Sequence, residues 1–171
     1  GSVMTYFPFP QIIRGRPGTG EVGETNFSVP IGSLGFWQER LGEHGVEAVL
    51  PDARFGEERL RFRAVDGDMF SLTEIKDDPR AAWTGGAVAG DEAIRGFSGA
   101  SLRLRDSGAT EELLKFMGYE LADTDQGIKR FILPEGNGAD VIDIETMPNM
   151  LRGDLGAGSV HHIAFAVDNR A

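Results

Sequence analysis

Two adjacent histidines near the end of the chain are the residues best suited to chemistry. His161 and His162 stand in an apolar run over residues 158–167. Because neighbouring side chains of a strand point to opposite faces, His162 shares its face with Ala164 and Ala166. Small alanines leave room beside an imidazole, which is a frequent metal ligand. The pattern predicts a strand here, with His162 as a candidate ligand for a metal.

Two other motifs are weaker candidates. Residues 18–23 match the dinucleotide-binding pattern G-x-G-x-x-G. That fingerprint needs a strand before it and a helix after it, whereas here a strand is predicted to follow. Glu21 would also repel a pyrophosphate. His44 lies at the end of a predicted helix, where a cation suits the helix dipole, so we assign it no function.

Alternating arginines give one predicted strand a basic face. Arg59, Arg61 and Arg63 alternate with Leu60 and Phe62. An anion site is one reading of this face. A solvated face paired with nearby acids is the reading that we favour, since exposed charges are usually paired in this way.

Composition excludes several classes of partner. The chain has 171 residues, a formal net charge of −10 and no cysteine. The negative charge argues against nucleic acid and anionic membrane surfaces as partners. Disulfides and thiolate metal sites are excluded, and no apolar run approaches the roughly 20 residues of a membrane span. We expect a cytoplasmic protein. The composition does not decide whether the protein forms a homo-oligomer.

A repeat organises the middle of the chain. Residues 21–78 begin with strand-like alternation around Phe27. Leu34, Trp37 and Leu41 then recur at helical spacing, and three further strands follow. The order β-α-β-β-β defines one complete module.

The second repeat, residues 95–148, has the same order after a polar linker at 79–94. Gly118-Tyr119 stands where Gly45-Val46 stands in the first repeat, and a glycine suits the end of a helix. The predicted fold is therefore α+β, with tandem βαβββ modules pairing into a barrel-like mixed sheet about a pseudo-twofold axis.

The two ends are predicted to be parts of further modules. Residues 1–20 are expected to hold the terminal strand of a truncated preceding module plus a loop. Residues 149–171 are expected to hold a loop and the first strand of a truncated following module, because 160–167 align position by position with 97–104. The chain is thus expected to be an internal segment of a four-module protein.

The paired modules resemble the vicinal oxygen chelate superfamily, which includes glyoxalase I, fosfomycin-resistance proteins and extradiol dioxygenases. Several strings narrow this resemblance to its ring-cleaving group, typified by hydroquinone and chlorohydroquinone 1,2-dioxygenases. These strings are residues 3–8 (VMTYFP), 15–18 (GRPG), 29–37 (VPIGSLGFW), 54–56 (RFG) and 94–97 (IRGF).

The resemblance implies four modules and Fe(II) held by two histidines and one glutamate. It implies that His162 is one iron ligand and that His161 lies near the oxygens of the substrate, with the other two ligands outside this sequence. The implied reaction is extradiol-type ring cleavage of a hydroquinone-like dihydroxyaromatic by dioxygen, and this chain alone is expected to be inactive and to bind no iron. A glyoxalase-like metal-dependent lyase or isomerase, and a non-catalytic binding barrel, are the alternatives.

The two complete modules are expected to form a metal-free barrel. The positions equivalent to the ligand histidine are Gly99 and Glu24. The last-strand positions where the superfamily keeps a carboxylate fall on Ser71 and Asp143. Carboxylates without a histidine make a poor Fe(II) site. Asp143 and Glu145 are therefore expected to be hydrogen-bonded or solvated.

Overall fold

Two helices and eight strands make up the regular structure of the residues that are described. The computed structural model describes residues 3–83, 85–88 and 90–166. The elements of the first module are β1 (Glu21–Val29), α1 (Leu34–Glu43), β2 (Ala48–Arg54), β3 (Glu57–Arg63) and β4 (Met69–Glu74). Those of the second are β5 (Gly96–Leu104), α2 (Gly108–Phe116), β6 (Glu120–Asp125), β7 (Ile128–Ile132) and β8 (Val141–Thr146). The predicted order β-α-β-β-β is confirmed in both repeats.

All eight strands join one mixed sheet. Their order is β2-β3-β4-β1-β5-β8-β7-β6. The first strand of each module is parallel to the last strand of the same module, and the two first strands pair antiparallel. The order is thus symmetrical about the β1–β5 pair, as the predicted pseudo-twofold requires.

Each helix ends where a glycine permits the chain to turn back into the sheet. Gly45 has φ +70° and Gly118 has φ +92°, a left-handed conformation that glycine adopts without steric cost. The matching glycines in the two repeats therefore end equivalent helices and direct the chain into β2 and β6.

The apolar core lies between the sheet and the two helices. It consists of two clusters, one for each module, because apolar residues alternate with polar or charged ones along inner strands such as β3 and β8. Their buried members are Val29, Leu34, Leu60 and Leu72 in the first module, and Ala100, Leu114, Tyr119, Phe131, Ile142 and Ile144 in the second. The alternating polar residues lie on the opposite face of the sheet.

The terminal segments differ from the prediction. Residues 3–9 and 159–166 are not strands, because neither has a neighbouring strand with which to pair. The chain on either side of the modules forms isolated bridges instead, joining Arg14 to Ala157, Arg16 to Asp154 and Thr19 to Arg152. The two ends of the module pair therefore run side by side.

Neither helix in the described part of the chain has the length and apolar character needed to cross a membrane.

Candidate functional site

The histidine pair lies where the two terminal segments meet. The Nδ1 atoms of His161 and His162 are 2.9 Å apart, so one ring donates to the other. Both residues are exposed, and the His161 ring lies 6.4 Å from the ring of Phe7, centroid to centroid. Ile163 packs against the apolar cluster of the second module. The segment is thus attached to the second module while its imidazoles face outward.

Both terminal segments also reach the turn between β3 and β4. The Arg14 guanidinium, which follows the first segment, lies against this turn, since a Cβ on Gly67 would meet Arg14 Nη2 at 2.8 Å. Burial, Asp68 and Asp66 together raise the pKa of the Tyr6 hydroxyl. Gly158 approaches the same turn so closely that a Cβ on it would lie 2.0 Å from the carbonyl oxygen of Asp66. The first module therefore provides a contact point shared by the two segments.

The described residues do not fit a complete iron site. Among them, no group of three or more His, Asp or Glu side chains is placed to hold a metal ion. His161 and His162 supply only imidazole ligands, whereas a facial triad also needs a carboxylate. The further donors would have to come from elsewhere.

On the polar face of the first module, Glu24 is held by two arginines. Glu24 is 3% exposed and Arg59 is 1% exposed. Arg59 Nη1 donates to Glu24 Oε1 over 2.8 Å, and Arg61 Nε donates to Glu24 Oε2 over 2.7 Å. Arg59 Nη2 donates to Asp52. The carboxylate at this position of β1 is thus fully occupied by guanidinium groups.

On the same face of the second module, Asp143 has a matching partner. Its side chain is completely buried, and Arg130 binds both of its oxygens, Nε at 2.8 Å and Nη2 at 3.0 Å. Arg130 also donates to Glu57, in the first module. Burial by itself lowers the pKa of Arg130, but the hydrogen bonds and charges of Asp143 and Glu57 outweigh it and raise that pKa. Asp143 is hydrogen-bonded, as predicted.

Contacts across the polar face show that the sheet is curled. The turn between β2 and β3 reaches β5, β6 and β8. Arg54 Nη1 lies 3.2 Å from Ser101 Oγ and 3.5 Å from Asp143 Oδ2, while the backbone N–H of Phe55 donates to Asp125 over 3.3 Å. The guanidinium of Arg130 stacks 4.2 Å above the Phe55 ring. Because β2 and β6 stand at opposite ends of the strand order, these contacts require a curled sheet whose two edges approach without pairing.

The polar face is therefore an interior filled with ion pairs, and this corrects one prediction. Arg59 was expected on a solvated face, but the curl of the sheet buries it. Gly99, which aligns with His162 in sequence, has no room for a side chain, since a Cβ there would lie 2.1 Å from the carbonyl oxygen of Val141. Sequence reasoning missed Arg130 as the partner of Asp143. Only the position of Arg130 opposite Asp143 in the neighbouring strand could have indicated this pair, and that position is known only once the strand register is known.

Comparison with solved structures identifies the fold. A crystal structure of a putative dioxygenase from Bacillus subtilis superposes with a TM-score of 0.85 and 34% sequence identity, covering 95% of this chain and 52% of that one. Paired βαβββ modules in one curled sheet are thus the glyoxalase/dioxygenase fold. No family model matches the sequence.

Sequence comparison gives the same family. The chain is 35% identical over 170 residues to "Putative ring-cleaving dioxygenase MhqO" of Bacillus subtilis, covering 99% of this chain and 54% of that protein. It is 30% identical over 176 residues to "Chlorohydroquinone/hydroquinone 1,2-dioxygenase" of Sphingobium indicum, covering 98% of this chain and again 54% of the relative. These similarities support a vicinal oxygen chelate superfamily assignment, and the chain spans about half the length of the curated relatives it matches.

Proposed function

We propose that this chain is the structural half of a ring-cleaving dioxygenase that acts on a hydroquinone-like dihydroxyaromatic. In the longer polypeptide, His162 is one ligand of a non-haem Fe(II) and His161 contacts the oxygens of the aromatic substrate. Dioxygen is the second substrate, and the expected compartment is the cytoplasm. The two modules described here hold the histidine segment in place.

The convergence of the two terminal segments is the observation that carries this proposal. Residues 3–9 and 159–166 meet with the ring of Phe7 beside that of His161, and Gly158, directly before the second segment, contacts the β3–β4 turn. Chain that precedes and chain that follows the module pair would therefore extend from one place. A site built jointly by these two parts of a longer chain would include the histidine pair.

The interior of the module pair supports the same division of roles. Two carboxylates that lie at or beside metal-ligand positions, Glu24 and Asp143, are already neutralised by Arg59 and Arg130. A divalent cation would have to displace these guanidinium groups from a buried site. We therefore propose that metal and substrate bind outside this interior, at the end where the terminal segments meet.

Three single substitutions in the longer polypeptide test the proposal. His162→Ala should abolish both iron binding and oxygen uptake with hydroquinone. His161→Ala should retain most of the iron and lower turnover, because a group that contacts the substrate orients it without holding the metal. His44→Ala is the matched control, since His44 is exposed at the end of α1, and it should change neither property.

The measurements are iron content by elemental analysis and oxygen consumption with hydroquinone. Full activity in the His162 variant would refute the assignment. Thiol-dependent isomerisation of a hemithioacetal, in the absence of ring cleavage, would instead favour the glyoxalase-like lyase or isomerase. Neither activity, with no metal bound, would favour a non-catalytic binding barrel.

A further inference from the structure

The turn between β7 and β8 holds an asparagine–glycine pair. Asn137 and Gly138 lie between Ile132, where β7 ends, and Val141, where β8 begins. The Asn137 side chain is exposed and Gly138 is half-buried. The backbone nitrogen of a glycine can attack the side-chain amide carbon of an asparagine that precedes it, because no Cβ on the glycine obstructs the approach. The attack closes a five-membered succinimide ring, so the turn contains both reacting groups.

A carboxylate is placed to take the proton of the attacking nitrogen. The backbone N–H of Gly138 donates to Asp140 Oδ2 over 2.7 Å. A general base must lie within about 2.6–3.2 Å of the atom whose proton it removes. The other oxygen of the same carboxylate accepts from the backbone N–H of Asn137 over 2.7 Å, which holds the carboxylate in this position. Asp140 therefore makes the contact that a general base requires.

A backbone N–H is placed to polarise the carbonyl group under attack. The N–H of Ala139 donates to Asn137 Oδ1 over 3.0 Å. Negative charge develops on this oxygen when the glycine nitrogen adds to Asn137 Cγ. Donors at about 2.7–3.1 Å from such an oxygen lower the barrier to addition. Nucleophile, base and oxygen-binding donor thus all lie within residues 137–140.

Arg80 brings a positive charge to the same turn. A Cβ on Gly138 would lie 2.7 Å from both Nε and Cζ of Arg80, so the guanidinium group lies against this glycine. Arg80 is itself held by Asp78, with Nη2 2.6 Å from Oδ2. A fixed cation beside the turn favours the negative charge that develops during the attack.

We propose that Asn137 is a site of self-catalysed deamidation. The Gly138 nitrogen forms a bond to Asn137 Cγ while its proton passes to Asp140. The bond between Cγ and Nδ2 then breaks, and Nδ2 leaves as ammonia with the proton that Asp140 held. Water opens the resulting succinimide and leaves aspartate or isoaspartate at position 137. The reaction consumes water and requires no oxidant or reductant.

The product changes both the charge and the length of the turn. Either product places a carboxylate beside Asp140 in place of a neutral amide, and isoaspartate also adds a methylene group to the backbone. The turn is closed by the N–H of Leu133, which donates to the carbonyl oxygen of Asp140 over 3.0 Å. The strands on either side of the turn carry Arg130 and Asp143, whose ion pair is buried. We therefore expect the isoaspartate form to unfold at a lower temperature than the unmodified chain.

Incubation of the folded 171-residue chain at neutral pH tests the proposal. Peptide mapping by mass spectrometry measures the loss of the amide at each asparagine, and isoelectric focusing detects the added negative charge. Asn137 should deamidate at least about 10-fold faster in the folded chain than in the same chain unfolded in guanidinium chloride, because the base and the polarising donor are in place only in the folded turn. A folded-state rate equal to or below the unfolded-state rate would refute the proposal.

Asn149 is the internal reference for this comparison. It is also exposed, but it is followed by methionine instead of glycine. It should keep its amide in the folded chain over the time in which Asn137 loses most of its own. Equal loss at the two positions would show that exposure alone sets the rate, and would refute the proposal as well.

Matched substitutions separate the chemistry of the turn from its shape. Asp140→Asn keeps an acceptor oxygen but removes the base, so it should slow the folded-state reaction at least about 10-fold. Ala139→Pro removes the N–H that donates to Asn137 Oδ1, whereas Ala139→Ser retains it, so only the proline variant should react more slowly. Circular dichroism establishes that each variant is folded, and the comparison of folded with unfolded parent chain needs no variant. An unchanged or faster reaction in folded Asp140→Asn would show that Asp140 only holds the amide in place, which would overturn its role as the base.

Discussion

Removing the charge of Asp143 should cost more stability than any surface ion pair of this chain. Asp143 is completely buried and binds both Nε and Nη2 of Arg130, which is itself 8% exposed, with Arg54 3.5 Å away. Asp143→Asn keeps the shape but leaves these two guanidinium groups without their shared counter-charge. Breaking a buried pair in this way costs roughly 3–5 kcal/mol, and we expect about 3 because an amide oxygen can still accept one hydrogen bond.

That loss should appear as a lower melting temperature. For a domain of this size, 1 kcal/mol shifts the melting temperature by about 2–4 °C, so Asp143→Asn should lower it by about 6–12 °C. Asp154→Asn is the matched control, because Asp154 also binds one arginine at 2.8 Å but is 69% exposed. A pair of that kind contributes about 0–1 kcal/mol. The assay is thermal unfolding followed by circular dichroism.

A double-variant cycle separates the pair from its surroundings. Arg130→Met combined with Asp143→Asn should destabilise the chain by less than the sum of the two single changes, since each single change leaves a buried charge behind. Equal shifts for Asp143→Asn and Asp154→Asn, or strictly additive losses in the cycle, would refute the view that a coupled ion pair closes this interior.

Two further substitutions test other parts of the argument. Gly99→Ala should prevent folding or lower the melting temperature strongly, because its Cβ would meet the carbonyl oxygen of Val141 at 2.1 Å. Gly35→Ala in α1 is the control, since a Cβ there meets nothing within 4 Å and the change should be neutral or stabilising. Thermal unfolding compares the two variants. Asp78→Asn tests a pH dependence, since the hydrogen bonds from Arg80 hold the pKa of Asp78 well below its ordinary value. That carboxylate stabilises the fold above about pH 4 and progressively less as the pH falls further, so the deficit of Asp78→Asn in urea unfolding should be present at pH 7 and smaller at pH 3; an unchanged deficit would contradict this.

The order of the elements could be predicted because its signals are local. Alternation around Phe27, the helical spacing of Leu34, Trp37 and Leu41, and Gly45 after the helix each concern neighbours in the chain, and the structure confirms the βαβββ order that they indicate. Because the second module repeats this order, the pattern of local signals occurs twice in the chain.

The interior could not be predicted because its contacts depend on the curl of the sheet. Arg130 and Glu57 are 73 residues apart and belong to different modules, so no local pattern joins them. The burial of Arg59 could not be predicted for the same reason. Its alternation with Leu60 shows that the two side chains lie on opposite faces of the strand, but not whether the face of Arg59 is solvated. The predicted terminal strands are absent from the described structure for a related reason. Alternation in residues 158–167 is compatible with a strand, but a strand forms only where a neighbouring strand supplies its hydrogen bonds.

The interior of the described module pair is filled in a way that excludes a metal site. At the position equivalent to His162, the first module has Glu24 bound by Arg59 and Arg61, and the second has Gly99 with no room for a side chain. A guanidinium group and a metal cation both neutralise carboxylates, but only the metal leaves coordination positions open for a substrate. Filling one interior with arginine gives a rigid support at the cost of a ligand site. Under the proposed function, metal and substrate would therefore bind outside this interior, where the terminal segments meet.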